Sequence, residues 1–265
     1  MSYERELAVA REAALAAGEI ALERWGKAPA RRKADGTWVT EADEAVEAEL
    51  RRRLGAAFPE HDVLGEEEGL RAADGGEPRP GVPTWILDPI DATANYVAGI
   101  PIWAVLVGLR VDGAGVLGVA HAPALGETYE AVVGGGAFMN GAPIYVAPVR
   151  RLEQATVLLG GAGSFVAAGL EPSLSALVER AERDRGLGDF WGPLLVARGA
   201  AHAMVDAAPL ALWDVAPLEP ILAEAGAIVS GLSGEPWSES GPLLTSCGPD
   251  LHAQLVELFE LRNMR

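Results

Sequence analysis

Trp85–Tyr96 reads WILDPIDATANY. The apolar run Trp85-Ile86-Leu87 predicts a buried strand, and Ala92-Thr93-Ala94-Asn95 can open a helix. Between them lie Asp88, Pro89, Ile90 and Asp91. Two carboxylates three residues apart at the C-terminal end of a strand, with a proline bending the backbone between them, can point at one spot. Buried carboxylates require a cation, and hard oxygen ligands favour Mg2+ over Zn2+. The amides of Ala92 and Thr93 at the helix start would face an anion, so the stretch suggests phosphate chemistry. The plainer alternative is a strand ending in an Asx turn, with Asp91 as a helix N-cap and Asp88 in solvent. Further carboxylates follow apolar runs at Glu66-Glu67 and Trp213-Asp214.

The 265 residues suffice for one large domain or two closely packed ones, and 49% apolar with 22% charged residues describes a soluble globular chain. A net charge of -17 repels nucleic acid and anionic membrane, so neither is an expected partner. It also repels a phosphate ester, which favours bound cations or local amides at the site. Cys247 is the only cysteine, which excludes an internal disulfide and a thiolate zinc site. Glu4, Arg5, Glu6, Arg11 and Glu12 are wrong for a signal peptide, and no uncharged apolar run reaches spanning length. A cytoplasmic location is expected.

Leu7, Ala10, Ala14, Ala17, Ile20 and Ala21 form a helical stripe within Tyr3–Trp25. Arg31–Val39 reads as a mobile hairpin or loop. Thr40-Glu41-Ala42-Asp43 opens a second helix to about Phe58, with Val46, Leu50 and Leu54 on one face. Asp43 there has a simpler reading as a first-turn acid favoured by the helix dipole. His61–Leu64 is a short strand running into Gly65-Glu66-Glu67-Glu68, and Arg71–Pro83 is a surface loop. Trp103–Arg110, Val116–His121 and Glu127–Val133 predict an antiparallel meander, with a tight turn at Asn140-Gly141. From about Leu152 strands and helices alternate: Thr156–Leu159, Leu174–Arg185, Trp191–Arg198, His202–Val205, Asp214–Ala225, Ile228–Ser230, Leu243–Ser246 and Asp250–Leu261. That pattern implies a parallel or mixed sheet. The expected domains are 1–150, an α+β unit with most of the acids, and 151–265, an α/β unit with Asp214.

GEEEG (65 to 69), DPIDATAN (88 to 95) and WDVAPLEPILAEAGA (213 to 227), in this order, resemble the inositol monophosphatase family of metal-dependent phosphomonoesterases. KADGTWVTEAD (33 to 43) and GGGAFMNGAPI (134 to 144) extend the likeness over nearly the whole chain. The resemblance implies the layered αβαβα sandwich of the inositol monophosphatase and fructose-1,6-bisphosphatase type, α+β followed by α/β. One departure is that the family's usual glycine after the second aspartate is Ala92 here, which keeps the amide donor but narrows the allowed backbone.

A phosphomonoester is an inert dianion, and two metals about 3.5 to 4 Å apart would activate water, screen the phosphate and stabilise the leaving alkoxide. By resemblance, Glu66, Asp88 and the Ile90 carbonyl hold a first Mg2+. Asp88 bridges to a second held by Asp91 and Asp214, and Glu66 touches a third, weaker ion. Thr93, with Asp43 accepting its proton, orients the attacking water beside Glu66, and the Ala92 and Thr93 amides bind phosphate oxygens. Glu67 supports this shell, and Lys33, one of two lysines, closes near the phosphate or is simply a solvated charge.

Gly188-Asp189-Phe190-Trp191 and APALGETYEA (122 to 131) are similar to the histidinol-phosphate phosphatases within the family. Asp189 or Asp206 could pair with a substrate ammonium or accept from a ring hydroxyl, or be surface acids. The expected substrate is inositol 1-phosphate, with histidinol phosphate or a sugar (bis)phosphate as alternatives. A homodimer and lithium inhibition are implied. The non-enzyme alternative is a metal-binding regulatory protein of the same fold. No histidine accompanies a nucleophile motif, which disfavours a covalent hydrolase.

Overall fold

The computed structural model describes residues 3–73, 75 and 81–260. The loop expected at Arg71–Pro83 is described only in part, because Asp74 and residues 76–80 lie outside the described residues. The chain divides into two units, Met1–Ala142 with Trp213–Ile221, and Pro143–Leu212 with Leu222–Arg265.

In the first unit, α1 (Glu4–Arg24) buries Ala10, Ala13, Ala14, Ala17, Gly18 and Ala21. Small side chains let this helix lie close to the sheet beneath. A Cβ on Gly18 would stand 2.5 Å from the His121 ring, so the position has room only for glycine. The hairpin of β1 (Ala30–Arg32) and β2 (Trp38–Thr40) is antiparallel, as expected. α2 (Glu41–Ala57) opens with a capping box. Thr40 Oγ1 accepts the Ala42 amide at 3.0 Å, and Asp43 Oδ2 accepts the Thr40 amide at 2.8 Å and its hydroxyl at 2.6 Å. Satisfying these otherwise orphaned donors fixes where the helix begins.

The large sheet of this unit contains β3 (Asp62–Gly65), β4 (Gly69–Arg71), β5 (Thr84–Asp91), β6 (Ala104–Val111), β7 (Ala114–Ala122), β8 (Glu127–Val132), β9 (Gly136–Met139) and β10 (Ala142–Pro143). A short helix, α3 (Thr93–Ala98), follows β5. The strand order is β10-β9-β8-β7-β6-β5-β3-β4. The meander appears as expected, β6 to β9 pairing antiparallel. Asn140 and Gly141 both take positive φ, 49° and 77°, the backbone that a tight hairpin turn demands. β3 instead runs parallel to β5, Gly65 opposite Leu87. The core joins the α1 and α2 stripes to Trp85, Leu87, Ile90, Trp103, Val105 and Val107.

The second unit has a 3-10 turn at Leu152–Gln154, then β11 (Thr156–Leu159), α4 (Ala162–Ala167), α5 (Glu171–Arg180), β12 (Arg183–Gly186), α6 (Trp191–Ala197) and β13 (Ala203–Ala211). The chain then passes through α7 (Leu212–Val215) and the start of α8 (Glu219–Glu224), of which Trp213–Ile221 belong to the first unit, and continues in the second with β14 (Ile228–Ser230), β15 (Ser240–Ser246) and α9 (Pro249–Glu260). The sheet order is β12-β11-β13-β15-β14, with β11 parallel to both neighbours and β15 antiparallel to both of its own. The sheet is therefore mixed, as alternation implied.

Three expectations need correction. The helix expected over Leu174–Arg185 ends at Arg180, and Arg183-Asp184-Arg185-Gly186 forms an edge strand. Charge on an edge strand blocks sheet-to-sheet association, and the same charge hides the strand from an apolar-pattern search. The helix expected over Asp214–Ala225 is two short helices, α7 and α8, because Pro217 cannot continue a helix through its own position. Finally, the boundary falls at 142/143 rather than 150/151, and Trp213–Ile221 group with the first unit. Asp214 thus belongs with the other acids.

The histidines are structural where they can be traced. His252 bridges Ser230 (3.0 Å) and Ser246 (2.9 Å), tying α9 to β14 and β15, and burial lowers its pKa. Cys247 is buried.

Candidate metal centre

In a regular strand, residues three apart face opposite sides of the sheet. Asp88 and Asp91 escape that rule through a bulge. The β5–β6 ladder pairs Asp88 with Leu106 and Asp91 with Ala104, so three steps on β5 match two on β6. The extra residue turns both carboxylates to one side. Pro89, which has no amide to give a ladder, sits inside the irregularity. The expected bend is thus a bulge, with the strand extending through Asp91 and not stopping at Leu87.

Asp214 completes a triad. Asp88, Asp91 and Asp214 offer carboxylate oxygens within 4.8 Å of one another. Asp214 is held there by a glycine-lined part of the sheet. Gly108 and Gly118 are opposite one another across β6 and β7, and Pro217 lies against both. A Cβ at Gly118 would stand 1.8 Å from the Pro217 carbonyl oxygen, and one at Gly108 would stand 3.0 Å from its Cα. Gly115 meets Pro220 in the same way, at 3.2 Å. Removing side chains from the strands makes the seat on which the segment after Asp214 rests.

The electrostatics require compensation. Asp88 is 2% exposed, and its pKa is raised well above the ordinary carboxylate range, first by burial and then by the charges of Glu66, Asp91, Asp214 and Asp43. Its Oδ1 atom is buried without a hydrogen-bond partner among the described residues. A native buried acceptor left in that state calls for a ligand. Oxygen-only donors of this density suit a hard divalent cation, and neither a histidine nor a cysteine belongs to the group.

Glu66 and Glu67 meet at Lys33, whose Nζ lies 2.8 Å from Glu66 Oε1 and 2.6 Å from Glu67 Oε1. Burial works to lower the Lys33 pKa, but hydrogen bonds to the two glutamates outweigh it and raise it. Glu67 is raised by burial against the pull of Lys33. Lys33 is thus paired with both glutamates in this structure. The Glu66 amide donates to the Leu87 carbonyl at 3.2 Å, which places that residue's backbone beside the start of the Asp88 segment.

Thr93 Oγ1 lies 3.3 Å from Asp43 Oδ1 and 3.0 Å from the Ile90 carbonyl oxygen. Burial raises the Asp43 pKa, opposed by its bonds to Thr40. Asp43 is thus both the capping acid of α2 and the partner of Thr93. Ala92 has φ 66° and ψ 46°, so an alanine adopts the left-handed backbone at the helix entrance. The helix's first internal bonds are donated by Asn95 and Tyr96 to the Ala92 carbonyl, at 2.9 and 3.1 Å, which leaves the Ala92 and Thr93 amides ahead of that ladder. A left-handed alanine costs about 1–2 kcal/mol. Ala92→Gly is expected to stabilise the chain by about 1 kcal/mol after the flexibility of glycine in the unfolded state is discounted, raising the thermal midpoint by about 2–4 °C. A midpoint that falls would mean that the methyl group contributes packing worth more than the strain.

In the second unit Asp206 is 6% exposed, and burial raises its pKa. Its Oδ1 accepts the Ala208 amide at 2.9 Å, and its carboxylate occupies the space a Cβ at Gly160 would need, 2.3 Å from Oδ2. Asp189 is exposed and left-handed at φ 51°. Of the two substrate candidates, then, Asp206 is buried and Asp189 is at the surface. Glu47 and Arg51 were not singled out from the sequence, although both are buried in α2. Their signal was present: they follow Asp43 at steps of four on one helix face.

A profile of the inositol monophosphatase family matches residues 2–262. Curated relatives include a histidinol-phosphatase of Chlorobaculum parvum, 35% identical over 257 residues, which are 95% of this chain and 95% of that one. A probable inositol 1-monophosphatase of Mycobacterium tuberculosis is 34% identical over 236 residues, 86% of this chain and 84% of its own. Among solved structures, an inositol monophosphatase from Anabaena superposes with a TM-score of 0.85 at 26% identity, covering 98% of this chain and 97% of that one. The Thermotoga maritima enzyme gives 0.84 at 27%, covering 98% of each. The expected fold class is borne out by these superpositions. With Asp214 brought beside the two aspartates of a bulged strand and residues 2–262 matched, this chain belongs to the inositol monophosphatase family of phosphomonoester hydrolases.

Proposed function

We propose that this enzyme hydrolyses a small phosphate monoester bearing an amine, histidinol phosphate ahead of inositol 1-phosphate, using two to three Mg2+ ions. The partnerless buried oxygen of Asp88, beside Asp91 and Asp214, carries the reaction. Those three carboxylates, with Glu66 and the Ile90 carbonyl, would hold the ions. When bound, the ions supply activation of water, charge screening of the phosphate and stabilisation of the leaving alkoxide.

The chain's own groups do the rest. The Thr93 hydroxyl has one proton and two acceptors in reach, and the Asp43 carboxylate is the stronger of them. Donation to Asp43 turns the Thr93 lone pairs outward, to orient the attacking water beside Glu66. Thr40 keeps Asp43 in place through two bonds to Oδ2, so Oδ1 remains for Thr93. The Ala92 and Thr93 amides take phosphate oxygens. Lys33, with Glu67 supporting, supplies positive charge at the glutamate wall.

The sequence reading ranked inositol 1-phosphate first. The histidinol-phosphatase relatives favour the reverse order. Inositol 1-phosphate remains the second reading because relatives carry that name. Phosphate release from the two esters and from fructose 1,6-bisphosphate, compared by kcat/KM, decides the order. A larger kcat/KM for inositol 1-phosphate than for histidinol phosphate would restore the original order. Homodimer formation and lithium inhibition belong to the same proposal and are read by sedimentation and by assays in lithium chloride.

A further inference from the structure

α2 carries three charged residues on a buried face, Asp43, Glu47 and Arg51, at steps of four. Asp43 reaches Thr93. One turn further along, the Glu47 side chain is wholly buried. Its Oε2 accepts the Glu67 amide at 2.8 Å, and its Oε1 accepts the Glu68 amide at 3.0 Å. Arg51 neutralises it through Nε and a terminal nitrogen, both 2.8 Å from Oε1. Arg51 also donates to the carbonyls of Val63 and Gly69, which flank the same turn. The carboxylate reaches the amides because residue 65 is glycine: a Cβ there would come within 2.3 Å of Glu47 Oε1.

The turn that carries Glu66 is therefore gripped from below. The Glu66 amide is bonded to Leu87, the next two amides to Glu47, and both strand-side carbonyls to Arg51. Burying a carboxylate this completely is costly unless each lone pair is engaged, and here they are engaged by the backbone of the turn and by Arg51. The Glu67 and Glu68 amides are in turn left without these acceptors if the carboxylate is removed.

We propose that Glu47, braced by Arg51, is a positioning residue for the metal centre: it sets the Glu66 turn relative to Asp88 and so sets the affinity for the cation. This rests on the assignment of Glu66 and Asp88 as ligands. Because α2 also presents Asp43, one rigid helix places both the water-orienting pair and the Glu66 turn.

The test is a Mg2+ titration without substrate, following the rise of the thermal midpoint, on the full chain and on Glu47→Gln, Glu47→Asp, Gly65→Ala and Asp88→Asn. Glu47→Gln exchanges one acceptor for a donor, and Gly65→Ala pushes the carboxylate off the amides from the opposite side while leaving α2 intact. Both are expected to need at least about tenfold more Mg2+ for half the shift, the usual size for loss of a residue that orients a ligand. Glu47→Asp, which keeps the charge at shorter reach, is expected to be intermediate. At saturating Mg2+ the KM for the phosphate ester should stay within about twofold of the parent. A lowered midpoint with an unchanged Mg2+ requirement, in whichever of these variants folds, would show a purely structural role and overturn the proposal. Asp88→Asn separates the two levels: loss of its Mg2+ response supports the ligand assignment whatever Glu47 does, and retention would sink the assignment itself.

Discussion

Asp88→Asn is expected to release phosphate about a thousandfold more slowly than the parent chain, with the metal-free protein becoming more stable. The two effects have one cause. Asp88 is buried among four like charges and has an oxygen without a partner. Replacing the carboxylate by a neutral amide removes the repulsion that the fold otherwise sustains. A rise of several degrees in the thermal midpoint of the chelated protein follows. The same substitution deletes a carboxylate proposed to hold the ions, and a thousandfold corresponds to about 4 kcal/mol of lost transition-state stabilisation. In the parent, Mg2+ should raise the midpoint by mass action, by about 2.7 kcal/mol at a hundred times its Kd, and in the variant that rise should disappear. An asparagine variant that is both inactive and less stable without metal would place the main role of Asp88 in packing.

Gly118→Ala should give the largest loss of stability of any single methyl group added to this chain. The new Cβ would stand 1.8 Å from the Pro217 carbonyl oxygen, a backbone atom that cannot rotate away. Overpacking of this kind costs about 3 kcal/mol or more, equivalent to a fall of about 10 °C. Relief can come only by displacing the Ala216–Pro217 segment, and that displaces Asp214. The variant should therefore also bind Mg2+ at least about tenfold more weakly. Gly55→Ala is the matched control, since a Cβ at that position in α2 meets nothing within 4 Å. The same chemical change should stabilise there, by about 0.5–1 kcal/mol. Calorimetry of both variants, with and without Mg2+, reads the prediction. Equal midpoints for the two alanines would mean that Pro217 yields freely and that the glycine seat does not hold Asp214.

Much of the centre was legible because carboxylates following apolar runs are conspicuous. Asp88, Asp91 and Asp214 could be named before their proximity was known. What the residues could not reveal was how two positions of opposite strand parity come to share a side, since a bulge is a property of the pairing with β6 rather than of β5 alone. The seat for Pro217 was hidden for a similar reason: Gly108 and Gly118 read as weak points in strands until the segment against them is seen. β12 escaped notice because its burial pattern is that of an exposed edge. Ala92 is the reverse case. The sequence suggested that alanine would restrict the backbone there, and the alanine adopts the left-handed geometry nonetheless, at the single residue between β5 and α3.

The parallel run of β3 beside β5 has a practical corollary. Asp62 pairs with Thr84 and Gly65 with Leu87, so the alignment of Glu66 with Asp88 is set by the ladder and not by the length of polypeptide joining β4 to β5. That joining segment is the natural place to splice in a tag or a reporter peptide. Lengthening it adds little closure entropy, about 0.6 kcal/mol per doubling, and turnover should survive the insertion.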